Sequence, residues 1–209
     1  MPKPVKPLIS VVDDDASVRR SLQRTLRLAG YDVELFDTAK GFLSSNRRPN
    51  CLLLDVGLPG MSGLDLQDEL VMGKLNVPIV FITGNGNVPV TVRAIKAGAV
   101  DFLEKPFDEA ELLGAICRAI GLDCVLREKE KAISQERNRL SSLTSREHEV
   151  MTFVISGLTN KGIAAELGAS EKTIKIHRGR LMRKLEVDSV VALVRLAESA
   201  GIQPALVEV

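Results

Sequence analysis

A length of 209 residues suggests one large or two small domains, and 45% hydrophobic content supplies real cores, which excludes wholesale disorder. Aromatics are 3% with no tryptophan, so cores must be aliphatic and stacking on single-stranded nucleic acid is excluded as a main activity. A net charge of +1 argues neither for nor against a nucleic-acid partner, and Cys51, Cys117 and Cys124 form no CxxC pair, which suits reduced thiols.

At the amino terminus, MPKPVKP lacks an apolar signal core, and no apolar run approaches the roughly 20 residues of a membrane span. The expectation is a soluble cytoplasmic protein with no membrane partner. Leu8–Val12 reads as a strand ending in Asp13, Asp14 and Asp15, and Ser17–Ala29 as a helix stopped by Gly30. Asp32–Phe36 is the next strand, Thr38–Leu43 a short helix and Asn50–Leu54 a central strand running into Asp55. A helix at about Leu64–Val71 follows the turn residues Gly57, Pro59, Gly60 and Gly63. Pro78 opens the strand IVFIT, which ends at Thr83 in a loop to Asn87. Helix Val88–Ala97, strand Val100–Leu103 and helix Asp108–Ile120 complete the unit, with Glu104, Lys105 and Pro106 closing that strand. Five strands alternating with five helices call for a parallel sheet covered on both faces.

Asp13, Asp14, Asp55, Thr83 and Lys105 each stand at the carboxyl end of a predicted strand, and in a parallel sheet those ends share one edge. Carboxylates gathered there repel one another unless a cation sits among them. Oxygen donors in a pocket open to water suit Mg²⁺. Asp55 would then be a nucleophile toward phosphorus, with Lys105 neutralising phosphoryl oxygens and the Thr83 hydroxyl donating to one of them. Asp15 reads as an exposed residue that begins the following helix.

Across about residues 5–121 the chain resembles a two-component response-regulator receiver domain. The motifs are VVDDD at 11–15, LLLDVGLPGMSG at 52–63, FITG at 81–84 and AGAVDFLEKPF at 97–107. The resemblance implies that Asp55 is the phosphoacceptor, and that Asp13 and Asp14, with Asp55 and the Gly57 carbonyl, hold Mg²⁺ or Mn²⁺. It further implies that Thr83 and Phe102 form a switch pair, that Lys105 binds phosphate and that a cis bond precedes Pro106. Taken from its strand alone, Phe102 reads as plain core; the switch role is what the resemblance implies. Position 57 usually carries a side chain in the family; glycine here implies a looser loop.

Gly121–Ser142 is charged, with a thin apolar stripe of Leu122, Leu126, Ile133 and Leu140. It is compatible both with a solvated helical spacer continuing the preceding helix and with a dimerising stalk. Domain limits fall at 1–121, 122–142 and 143–209. In the last segment Leu143–Ser156 begins with the capping pattern Thr144-Ser145-Arg146-Glu147. Asn160–Leu167, Glu171–Leu185 behind Ser170, and Asp188–Ala200 are further helices, and Gly201–Val209 looks frayed. Two short helices joined by LGAS, the second rich in Lys172, Lys175, Arg178, Arg180, Arg183 and Lys184, match a helix-turn-helix. Ile174, Leu181 and Leu185 face its core.

The block 143–185 resembles the four-helix DNA-binding domain of the LuxR/NarL type, and the nearest arrangement of the whole chain is the FixJ-like subfamily. The resemblance implies that Lys175 and Ile176 face base edges, and that Asn160, Lys161, Lys172, Thr173, Arg178 and Arg183 lie on phosphates. His177 matches the family's histidine and reads as structural. Gly179 departs from the pattern, since relatives often place a long polar side chain there. The expected fold class is α/β plus all-α: a flavodoxin-like (βα)5 receiver, a long helical linker and a four-helix helix-turn-helix domain. The expected function is a phosphorylation-activated transcription regulator. Its implied partners are a sensor histidine kinase, double-stranded promoter DNA, RNA polymerase and, when phosphorylated, a second copy of the chain. A phosphohydrolase working through an aspartyl phosphate is the enzyme alternative, but it needs a carboxylate two residues after the nucleophile, where Gly57 stands. A P-loop NTPase fails because no GxxxxGK[ST] exists. A constitutive DNA binder with a degenerate receiver is disfavoured by the intact acidic pair, Thr83 and Lys105.

Overall fold

The structure, a computed structural model, describes residues 6–45, 47–73, 75–84 and 88–205. The start of the amino-terminal segment, the 85–87 part of the predicted loop and the tail beyond Ala205 lie outside the described residues. Two compact units divide between Glu128 and Lys129.

In the first unit, strands β1 (Leu8–Val12), β2 (Asp32–Phe36), β3 (Cys51–Asp55), β4 (Ile79–Thr83) and β5 (Asp101–Glu104) form one parallel sheet in the order β2-β1-β3-β4-β5. Helices α1 (Ala16–Leu28), α2 (Ala39–Leu43), α3 (Gly63–Met72), α4 (Val88–Lys96) and the part of α5 (Glu109–Ser141) up to Glu128 alternate with them. Every residue of β1, β3 and β4 is buried, as continuous apolar runs must be when helices cover both faces of a sheet. Alternate side chains of β3 serve different cores. Leu52 and Leu54 join Val12, Phe81, Leu66, Leu70 and Ala94 on one face. Cys51 and Leu53 join Ile9, Val80, Leu26, Leu112 and Ile116 on the other. Because β1 lies between β2 and β3, the chain's direction of winding reverses beside β1, and such a switch point opens a crevice at the strands' carboxyl ends.

Helix α5 does not stop at Ile120 but continues to Ser141, as the spacer reading allowed. An interior glycine such as Gly121 costs only about 1 kcal/mol, too little to end a helix whose next turn is anchored. The anchor is Asp123, 1% exposed, whose Oδ2 accepts from Asn50 Nδ2 and Arg127 Nε, both at 2.6 Å. Asn50 Oδ1 in turn accepts from the Leu8 backbone N–H at 2.8 Å, joining the start of β1 to this helix.

The second unit packs α6 (Ser145–Ile155), α7 (Asn160–Glu166), α8 (Glu171–Lys184) and α9 (Val190–Ser199) around Val150, Met151, Val154, Ile163, Ile174, Leu181, Leu185 and Leu193. Thr144 and Glu147 form a reciprocal capping box at the start of α6, while Thr159, Ser170 and Ser189 cap the other three helices. The turn between α7 and α8 passes through Gly168 at φ +59°, a left-handed conformation that suits glycine. The segment after Gly201 is not frayed as far as it is described: Ile202 packs on the core, and the Ala205 N–H bonds to the Thr152 carbonyl at 3.1 Å.

Candidate functional site

Asp13 follows β1, Asp55 is the last residue of β3, Thr83 ends β4 and Lys105 follows β5. Parallel register therefore brings four separate stretches of sequence to one sheet edge. Lys105 Nζ donates to Asp13 Oδ2 at 2.7 Å and to Asp55 Oδ1 at 2.8 Å. The remaining carboxylate oxygens are also engaged. Asp13 Oδ1 accepts from the Asp15 N–H at 2.8 Å, and Asp55 Oδ2 accepts from the Gly57 N–H at 2.6 Å. Burial by itself would lower the pKa of the Lys105 ammonium, but its hydrogen bonds to Asp13 and Asp55 outweigh burial and hold it above the ordinary lysine value. The Lys105 backbone N–H bonds to the Thr83 carbonyl at 2.7 Å, and the Lys105–Pro106 bond is cis.

Two local features set this edge. A Cβ on Gly63 would collide with the Asp55 carbonyl, so only glycine lets the start of α3 lie against the end of β3. Arg19 Nη1 donates to the Asp13 carbonyl at 2.5 Å, a contact that α1's apolar spacing did not signal. Asp15 caps α1, accepting from the Ser17 and Val18 N–H groups, as its reading as a helix-starting residue implied.

Asp13, Asp55 and Thr83 are buried, and they stand with Lys105 at one edge. Asp14 is exposed and forms no hydrogen bond or ion pair with the described residues. The expected gathering of three carboxylates is thus a gathering of two around an ammonium. Among the described residues no three His, Cys, Asp or Glu side chains stand as a metal cluster. The pair nevertheless suits a hard cation: its donors are all oxygen, and it already holds a positive charge between two carboxylates. Phe102 is half-buried, its ring centroid 6.1 Å from that of Phe81.

In the second unit, Ile174, Leu181 and Leu185 turn the inner face of α8 to the core. Lys172, Thr173, Lys175, Ile176, Gly179, Arg180 and Arg183 are exposed, and so is Lys161 on α7. Arg178 Nη1 donates to Asn160 Oδ1 at 3.0 Å, tying α8 to the first turn of α7. Lys184 leaves the basic face: its Nζ donates to buried Glu147 at 2.6 Å and to the Ser142 carbonyl at 2.9 Å. The Lys184 hydrogen bond, with help from the Thr144 N–H, lowers the Glu147 pKa to about 2. His177 is half-buried, and its Nδ1 has no partner among the described residues.

A parallel sheet with this acidic edge, joined to a basic helix-turn-helix, is the architecture of a signal-receiving domain with a DNA-binding output domain. Residues 9–117 match the response regulator receiver domain, and residues 141–197 match the bacterial regulatory proteins of the luxR family. The chain belongs to the response regulators, within the FixJ-like subfamily that carries a luxR-type output domain. It is 46% identical over 199 residues to nodulation protein W of Bradyrhizobium diazoefficiens, covering 94% of this chain and 88% of that one. It is similar to the low-resolution structure of the response regulator StyR at 49% identity and TM-score 0.80, covering 93% and 100% of the two chains. Full-length FixJ from B. japonicum matches at 40% identity and TM-score 0.57, covering 95% and 98%. Among the described residues no helix is long and apolar enough to cross a membrane.

Proposed function

We propose that the chain is a cytoplasmic transcription regulator switched by phosphorylation of Asp55. The observation that carries this reading is the Lys105 ammonium bonded at once to Asp13 and Asp55. A sensor histidine kinase presents a phosphohistidine, and an Asp55 oxygen attacks its phosphorus. The P–N bond breaks with its electron pair going to the imidazole nitrogen, and Asp55 becomes an acyl phosphate. Asp13, Asp14, Asp55 and the Gly57 carbonyl would hold Mg²⁺ (or Mn²⁺), which would supply charge neutralisation at the phosphoryl oxygens. Lys105 neutralises a further oxygen, and the Thr83 hydroxyl donates to another. The Gly57 N–H, already on Asp55 Oδ2, orients the carboxylate.

Phosphorylation adds about 1.5 to 2 negative charges at the sheet edge. Thr83 and Phe102 reposition in response and alter the α4–β5 surface, where Val88, Val92 and Ile95 are exposed. Two copies pair through that surface and present two α8 helices to half-sites about one helical turn apart. Lys175 and Ile176 read base edges. Asn160, Lys161, Lys172, Thr173, Arg178 and Arg183 hold phosphates, and RNA polymerase is the downstream partner. The limits 1–121, 122–142 and 143–209 remain the functional division, although Asp123 and Arg127 root the linker's first turns on the receiver. Acetyl phosphate with Mg²⁺ labels the wild-type chain and fails to label Asp55→Asn; undiminished labelling of that variant removes Asp55 from its role.

A further inference from the structure

The outward face of α8 has a gap. Lys172, Lys175, Ile176 and Arg183 line that face, and Gly179 stands among them, four residues after Lys175, three after Ile176 and four before Arg183. Nothing inside the protein asks for glycine there. Its φ is not positive, and a Cβ would meet no heavy atom within 4 Å beyond the helix's own backbone. Gly63 is the contrast, since its missing Cβ is required by the neighbouring strand. Glycine inside a helix is also unfavourable relative to alanine. The bare position weakens α8 with no compensation from the fold, which directs attention to a partner.

Ile176 adds the second observation. It is a large apolar residue 47% exposed in the middle of a cationic face. Isoleucine is branched at Cβ, stiff and short, so it reaches much less far from the axis than the lysines and arginines beside it. A surface that touches Ile176 must lie close to the helix backbone, and a side chain at 179 would meet that surface first.

Building on the DNA-binding reading, we propose that Gly179 is a specificity-determining position. Its missing side chain lets α8 sit deep enough in the major groove for Ile176 to pack on the C5-methyl groups of thymine. With bulk at 179 the helix stands off, and the longer Lys172 and Arg183 still follow the phosphates. Sequence discrimination falls while general DNA affinity remains.

The test uses the full chain treated with acetyl phosphate and Mg²⁺, and duplexes that it enriches from a random-sequence library. Each enriched duplex is also made with deoxyuridine for thymidine, which removes only the methyl groups, and in shuffled order. The wild type binds the deoxyuridine duplex about fivefold more weakly, the scale of one lost apolar base contact. Gly179→Gln binds the enriched duplex about tenfold more weakly, the shuffled duplex as before, and no longer distinguishes thymidine from deoxyuridine. Ile176→Ala loses the same distinction. Wild-type affinity and methyl sensitivity in Gly179→Gln overturn the proposal, as do equal losses on enriched and shuffled duplexes. A melting temperature of Gly179→Gln below wild type also overturns it, because the position would not be open. A wild-type chain that enriches no duplex instead brings down the DNA-binding reading, and this proposal with it.

Discussion

Replacing Lys105 with methionine removes a cation that two carboxylates share. Nζ lies 2.7 Å from Asp13, whose side chain is 1% exposed, and 2.8 Å from Asp55, whose side chain is 11% exposed. At an effective dielectric of about 20 each contact represents about 6 kcal/mol of attraction, most of which offsets the loss of hydration. Breaking a buried pair by deleting one partner costs about 3–5 kcal/mol. The lysine side chain keeps 23% exposure, which favours the lower end of that range. About 3 kcal/mol corresponds to a fall of about 10 °C in Tm for a unit of this size. Tyr31 is the only tyrosine in a chain without tryptophan and lies in the first unit, so its emission follows that unit alone. With EDTA the variant melts about 10 °C below wild type, and with Mg²⁺ the gap narrows, because a divalent ion compensates the same carboxylates and binding stabilises by mass action. The Lys105 pKa is raised on folding, so the contribution of the pair is complete below the ordinary lysine pKa and is lost only as pH rises beyond it. Equal melting temperatures in EDTA, or a gap that Mg²⁺ leaves unchanged, would refute the reasoning.

Glu147→Gln lowers the stability of the second unit near neutral pH. The carboxyl shifts from 4.5 to about 2 on folding, which discounts to about 1–2 kcal/mol because the partner Lys184 is partly solvated. That stability is full above the unfolded value and is lost as pH falls toward 2, so melts followed by circular dichroism converge in acid; a constant difference between pH 7 and pH 2.5 contradicts the assignment. Lys175→Ala weakens binding to an enriched duplex about tenfold more than to shuffled DNA, whereas Arg183→Ala weakens both alike and reduces the salt slope by about 1. Anisotropy titrations across a salt series separate the two, and equal losses on both duplexes would make Lys175 a phosphate contact.

The sheet was legible because buried parallel strands are written as mostly apolar runs, and Leu8–Val12 and Ile79–Thr83 agree with the sequence reading to the residue. The meeting of Asp13 and Asp55 was legible for the same reason, since each stands where such a run stops, whereas Lys105 follows the mixed strand Asp101–Glu104 and was legible as the close of a predicted strand. The extension of α5 was harder to see. Its apolar stripe is sparse, and its anchor is polar, with Asp123 meeting Asn50 from far away in sequence. Spacing alone cannot reveal such a contact, although Asp123 and Arg127 carry the four-residue separation of a helical ion pair. The sequence groups Lys184 with the other basic residues of its helix, because composition does not say which way a charge turns. Its partner Glu147 was visible only as half of a capping box.

Alternation along β3 turns the sheet into a partition. Leu54, next to Asp55, shares its layer with Phe81, Phe102, Val90 and Ala94, whereas Leu53 shares its layer with α1 and α5. The layer beside Asp55 runs to α4 as touching hydrocarbon. The helix that leads out of the receiver lies on the far side of a wall of backbone amides. One strand thus belongs to two separate neighbourhoods, and a change of side-chain volume on one face is felt first by the helices packed on that face.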